Sequence, residues 1–186
     1  MQPRKRIPSK SRKERSIRIA RNFIFASGIK WFPIDPKSLY KQHGFLLYTW
    51  DEARKILKDK DPLRLKKTKA EARTSITRGS KLYITVYDDK IYPAERIIYT
   101  LAHELGHIVL GHLDDFEKTA LSRGGLTEAE YRVLEEEADF FAAELLAPIY
   151  IVKELNIIKA EPLREIFSLS IKASNNKAQD LAWWGA

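Results

Sequence analysis

The sequence predicts an α+β fold, a mostly helical domain with a small β-sheet, on three observations. Residues 93–113 and 127–146 repeat apolar side chains at helical spacing. Leu82 to Tyr87 is a β-branched and aromatic run bounded by Gly79-Ser80 and Asp88-Asp89, the pattern of a strand. The 186 residues, 44% of them hydrophobic, suffice for one core and fall short of two full-sized domains.

The elements follow in chain order. Ile17, Ile19, Ala20, Phe23, Ile24 and Ala26 suit one helix stopped near Gly28. Trp31 to Pro36 reads as an extended connector, because each proline biases the preceding residue away from helix. Asp35 opens a short helix, Lys37 to His43, that ends at Gly44, and Phe45 to Trp50 is strand-like. Thr49 or Asp51 caps a further helix through Leu57. Residues 58–80 are charged, interrupted by Pro62 and weakly periodic, which reads as an exposed loop or loose helix. Pro93 opens the first long helix, expected to run to about Leu113. The second runs from its Thr127 cap to about Leu146, before Pro148, and short helices fill the remainder.

Composition narrows the function classes. Cysteine is absent, which excludes disulfides, thiol nucleophiles and thiolate metal sites, so any metal is held by nitrogen and oxygen. No apolar run reaches the ~18 residues of a spanning helix, and the basic N-terminus leads into no signal-peptide core. Neither a membrane partner nor secretion is expected. The net charge of +8 is unevenly spread: residues 1–21 carry nine basic side chains and Glu14, residues 53–81 eleven against three acids, and residues 82–186 ten against eighteen. Residues 1–21 read as a basic, disordered tail whose contact with nucleic acid is a secondary possibility. Residues 22–148 form the main domain, with 149–186 as a helical segment packed on it.

The chemistry is concentrated in His103-Glu104-Leu105-Gly106-His107, an H-E-x-x-H motif on a predicted helix. Spacing of i, i+4 puts both imidazoles on one face, able to grip one metal ion, with the Glu104 carboxylate beside them. Ile97, Ile98, Leu101, Leu105, Ile108 and Val109 share a different, core-facing stripe. A third ligand is needed for a catalytic zinc. His112 misses the three-histidine spacing, since Leu110 and Leu113 stand where glycine and histidine belong. It reads as a helix-end polar group able to approach substrate. On a helical wheel of the second long helix, Glu135 lies within the stripe of Tyr131, Ala138, Ala142, Leu145 and Leu146. Glu137 falls on the opposite, solvated side with Glu144, and Glu136 at the margin. A carboxylate on a core stripe costs several kcal/mol unless paired or metal-bound, which singles out Glu135. Asp139, one turn on, is placed to orient a ligand histidine. Ala138 and Ala142 are small enough to let the two helices approach.

His103-Glu-Leu-Gly-His107-Ile-Val-Leu-Gly-His112, followed by Glu135-x-x-Ala-Asp-x-Phe-Ala142-x-x-Leu-Leu-x-Pro148, closely resembles the ImmA/IrrE metallopeptidases, over about residues 80–150. Upstream, Pro33-Ile-Asp-Pro36 and Lys41-Gln-His-Gly-Phe45 are similar to that family's N-terminal helices. Downstream, Leu163 to Ala173 is similar to its C-terminal segment. The resemblance implies a zincin-like, cytoplasmic enzyme of phage or mobile-element type that acts on helix-turn-helix repressors. It implies one zinc per chain on His103, His107 and Glu135, with Glu104 as catalytic base. It also suggests Leu82 to Tyr87 as an edge strand that aligns a substrate peptide. His112, Tyr131 and Tyr99 are the candidates near substrate or oxyanion. The alternative is a metal-binding regulator that relieves a repressor by contact, or touches DNA, without proteolysis. Leu163 to Lys172 and Asn175 to Trp183 could pass for a helix-turn-helix, although they lie in the acidic half. Trp183 and Trp184 read as apolar anchors.

Overall fold

A computed structural model of the chain describes residues 9–57, 70–77, 81–113 and 127–183. In order, these form α1 (Ser9–Ala26), α2 (Pro36–Gln42), β1 (Leu46–Thr49), α3 (Trp50–Leu57), β2 (Ala72–Ile76) and β3 (Tyr83–Tyr87). They continue with α4 (Ala94–Val109), α5 (Glu128–Leu146), α6 (Ile149–Glu154), α7 (Ala160–Phe167) and α8 (Ile171–Trp183). The fold is α+β, with a three-stranded mixed sheet beside a helical majority.

Local chemistry explains most boundaries. The Asp35 side chain accepts from the Lys37 amide at 3.1 Å and starts α2. Thr49 and Glu52 satisfy each other's backbone amides at the head of α3. Thr127 and Glu130 do the same for α5. Pro93 caps α4 from outside the helix, which therefore begins at Ala94. The far end of α4 is earlier than the apolar spacing suggests. Gly111 adopts φ +75°, a left-handed turn that stops the helix and swings His112 back, its amide donating to the His107 carbonyl at 3.0 Å.

Three further differences from the sequence reading matter for the site. The sheet order is β1-β3-β2, so the Leu82 to Tyr87 run is the central strand and is not the edge. It pairs parallel with β1 and antiparallel with β2, Thr74 standing opposite Thr85. β2 itself falls inside the stretch read as a loop; residues 58–69 and 78–80 of that stretch lie outside the described residues. Finally, α1 starts at Ser9, eight residues before the first aliphatic of the apolar pattern. From Ser9 on, the segment expected as a disordered tail is helix, with Ser16, Ile17, Ala20, Phe23 and Ile24 buried. The tail's cations Arg12, Lys13, Arg15 and Arg21 meet acids on α5 and α8.

A large core joins these layers, beside a small second cluster of Trp50, Ala53 and Val86. Leu101, Leu105 and Ile108 of α4 meet Phe141, Ala142 and Leu145 of α5, and Phe23 and Ile24 of α1 pack into the same cluster. α5 is thus covered on two sides, by α4 and by α1. Gly106 lets α4 and α5 close up: a Cβ there would stand 3.1 Å from Phe141 Cδ1 and 3.2 Å from the Ala138 carbonyl oxygen. Ser168, at φ 51°, separates α7 from α8, and Leu163, Phe167 and Leu181 are buried between them and the body. The side chains of Trp183 and Trp184 lie outside the described residues. Among the described residues no helix is long and apolar enough to cross a membrane.

Candidate metal centre

α4 carries the whole H-E-x-x-H segment, and its close approach to α5 brings Glu135 to the two histidines. His103 Nε2 and His107 Nε2 are 3.0 Å apart. Glu135 presents one carboxylate oxygen to each, 3.4 Å from both. A tetrahedral ion with bonds of about 2.0–2.1 Å to nitrogen and oxygen separates its ligand atoms by about 3.3–3.4 Å, close to each of these separations. Among the described residues these three are the group able to hold a metal ion.

The other ring nitrogens are already engaged, which leaves the Nε2 atoms for an ion. His103 Nδ1 lies 2.9 Å from Asp139 Oδ1, and the Tyr99 hydroxyl donates to the same oxygen at 3.2 Å. Tyr99, a candidate for the oxyanion, thus has its proton committed. His107 Nδ1 lies 2.9 Å from His112 Nδ1, and His112 Nε2 lies 3.1 Å from Glu137 Oε2. His112, expected to be able to approach substrate, is only 3% exposed and has both ring nitrogens within hydrogen-bond distance of His107 and Glu137. Tyr131 is half-buried one turn ahead of Glu135 on α5.

The acids of α5 depart from the wheel reading in a consistent way. Glu135 is at the margin of the buried stripe, its side chain 32% exposed. Glu137 and Glu144, expected in solvent, are 4% and 1% exposed. The wheel considered one partner helix, whereas α1 covers the other side of α5. Arg12 and Arg15 stand 3.8 and 3.7 Å from the Glu137 carboxylate. Arg21 donates to Glu144 at 2.7 Å, and Lys177 of α8 adds a second cation at 3.4 Å. Buried carboxylates are tolerated when paired in this way.

Glu104, the remaining motif residue, accepts a short hydrogen bond from the Thr74 hydroxyl of β2. Thr74 is backed by the Thr85 hydroxyl at 2.8 Å, and Tyr40 of α2 closes the ladder at 3.3 Å. Each hydroxyl has one proton: Thr74 donates to Glu104, Tyr40 donates to the Leu101 carbonyl at 3.2 Å, and Thr85 shares its single proton between Thr74 and Tyr40. β2 and Thr74 were invisible in the sequence, and the one available hint was the Thr-rich segment from Arg73 to Thr77 facing the alternating β3.

These neighbours shift the titrations. Burial raises Glu104 above the ordinary carboxylate range, partly offset by the positive His103 and by Thr74. Burial alone would depress His103, yet its hydrogen bonds to Asp139 and Glu135 and the field of Glu104 lift it to about 10. His107 moves the other way, pushed down by burial and by the two flanking histidines. Glu137, despite burial, is held low by His112, Arg12 and Arg15.

A helix carrying two histidines and a glutamate that faces a carboxylate from the next helix has the arrangement of a candidate metal centre. The family model of the IrrE N-terminal-like domain, peptidase M78, matches residues 68–177, more than half of the chain. The chain belongs to this peptidase M78 family, and membership indicates a metallopeptidase-type function acting on protein. No curated protein matches it.

Proposed function

We propose that the protein is a zinc-dependent endopeptidase whose substrate is a helix-turn-helix transcriptional repressor. The observation that supports it above others is the convergence of His103 Nε2 and His107 Nε2, 3.0 Å apart, each with a Glu135 oxygen at 3.4 Å, beside the Glu104 carboxylate that accepts from Thr74. His103, His107 and Glu135 hold one zinc, and Asp139 fixes the ring of His103. Loading releases the proton that His103 carries in the metal-free protein, so uptake favours higher pH. When bound, zinc supplies Lewis-acid polarisation of the scissile carbonyl and an acidified water. In its ionised form Glu104, steered by Thr74, accepts a proton from the attacking water and returns it to the leaving amine. The choice of repressor as substrate comes from the ImmA/IrrE resemblance, as does a cytoplasmic site of action.

Coexpression with a helix-turn-helix repressor, the product of the neighbouring gene being the first to try, tests the reading. Wild type is expected to cut it, while Glu104→Gln retains one zinc per chain and lowers hydrolysis by about 10²–10⁴-fold, the size of a general-base contribution. Relief of transcription with the repressor uncut would replace the enzyme by a contact regulator.

A further inference from the structure

We propose that His112, Glu137, Arg12 and Arg15 form a relay that fixes the tautomer of His107, so that the N-terminal helix controls how tightly the metal site holds its ion. The proposal rests on reading His103, His107 and Glu135 as the metal donors.

The proton positions along the relay are dictated in sequence. Glu137 is a carboxylate beside two guanidiniums and can only accept. His112 Nε2, 3.1 Å away, must therefore donate to it. When His112 carries a single proton, Nδ1 is its acceptor, and His107 Nδ1, 2.9 Å off, is the donor. That leaves His107 Nε2 without a proton, its lone pair turned toward His103 Nε2 and Glu135. Each link is buried, with His107 and His112 both 3% exposed. The last link comes from another part of the chain. α1 lies outside the matched residues 68–177, and it brings Arg12 and Arg15 to a carboxylate that would otherwise be buried uncompensated. Replacing Glu137 by an amide would remove the constraint, because a glutamine NH₂ can donate to His112 Nε2. The relay then runs in either direction, and its reversed form puts a proton on His107 Nε2, where it competes with the ion.

Zinc dissociation constants of the full-length chain, measured by competition with a chromophoric chelator, test this alongside thermal melts of the metal-free proteins. Glu137→Gln is expected to weaken zinc about 10–100-fold, the range of altered partners of metal-bound histidines. The double variant Arg12→Gln/Arg15→Gln, at more exposed positions, should weaken it about three- to tenfold, one step further from the ion. Arg12→Lys/Arg15→Lys should restore most of that loss. Arg21→Gln removes another α1 contact, to Glu144, and is expected to lower the melting temperature without changing zinc affinity. Nitrogen chemical shifts of His107 should report a protonated Nδ1 in wild type and a mixed population in Glu137→Gln. If Glu137→Gln fails to fold, the arginine pair decides. A folded variant of Glu137 or of the arginine pair with affinity within twofold of wild type overturns the relay. So does an Arg21→Gln variant that loses as much zinc as the arginine pair, since the effect would then follow docking of α1 alone. A wild-type chain that takes up no zinc overturns the metal reading, and the relay with it.

Discussion

Glu104 is held between opposing influences, and the balance sets how it works as a base. Burial favours its neutral form, while His103 and the Thr74 hydroxyl favour the carboxylate. Thr74→Val removes a donor to the charged form, so the folded pKa of Glu104 moves further up. Because the base must be ionised, the acid limb of kcat/KM is expected to shift to higher pH, with a loss of about tenfold on the acid side, the weight of a hydrogen bond to a charged group. At alkaline pH the rates should converge. A pH-rate profile in which Thr74→Val loses activity equally at all pH values would mean that the hydroxyl only positions the carboxylate. At this scale the sequence was informative where covalent spacing does the work: His103, Glu104 and His107 are locked together by one helix, and Glu135 and Asp139 by another. Thr74 was out of reach, because its contact with Glu104 depends on a strand pairing that no local pattern announces. Glu137 was misplaced for the related reason that its counter-ions come from more than a hundred residues away.

Between elements, the separation of α4 and α5 sets the distance from the histidines to Glu135, and Gly106 is the residue at that contact. A Cβ at Gly106 would meet Phe141 Cδ1 at 3.1 Å and two Ala138 backbone atoms at 3.2 and 3.3 Å. Alanine gains up to about 1 kcal/mol in helix propensity over glycine, but overpacking against backbone costs about 1–3 kcal/mol. Gly106→Ala is therefore expected to lose about 1 kcal/mol net, which for a chain of this size lowers Tm by about 2–4 °C. Zinc affinity should fall with it as Glu135 moves off, and competition titration reads that directly. An unchanged Tm and affinity would show that α5 yields without cost. The long helices were legible because their caps and apolar stripes are local. β2 was not, since Ala72, Arg73, Thr74, Ser75 and Ile76 include few strong strand formers, and the ladder to β3 decides their conformation. The assignment of β3 to the edge failed on the same missing strand.

For the molecule as a whole, the basic front and acidic back of the sequence meet in space. Lys13 binds Asp180 at 3.2 Å, Arg21 binds Glu144 at 2.7 Å, and Arg12 and Arg15 flank Glu137. Part of the charge asymmetry is thus an internal neutralisation between α1 and the helices it covers. Deleting residues 2–15 removes seven cations and Glu14. A solvated tail would leave stability unchanged, but here Glu137 would lose both arginines while its burial by the rest of the fold continued. Stranding a fully buried charge costs about 3–5 kcal/mol, and the partial exposure of both arginines reduces this to about 1–2 kcal/mol. The expected fall in Tm is about 2–8 °C near neutral pH. The pH dependence supplies the sign: the folded pKa of Glu137 is depressed, so its contribution is present above the unfolded carboxylate value and is lost as pH falls through the folded one. Thermal melts from pH 7 down to about 3 should therefore show the two chains converging in acid. A difference that persists undiminished at the acid end would assign the loss to apolar packing of α1, with its arginines contributing little.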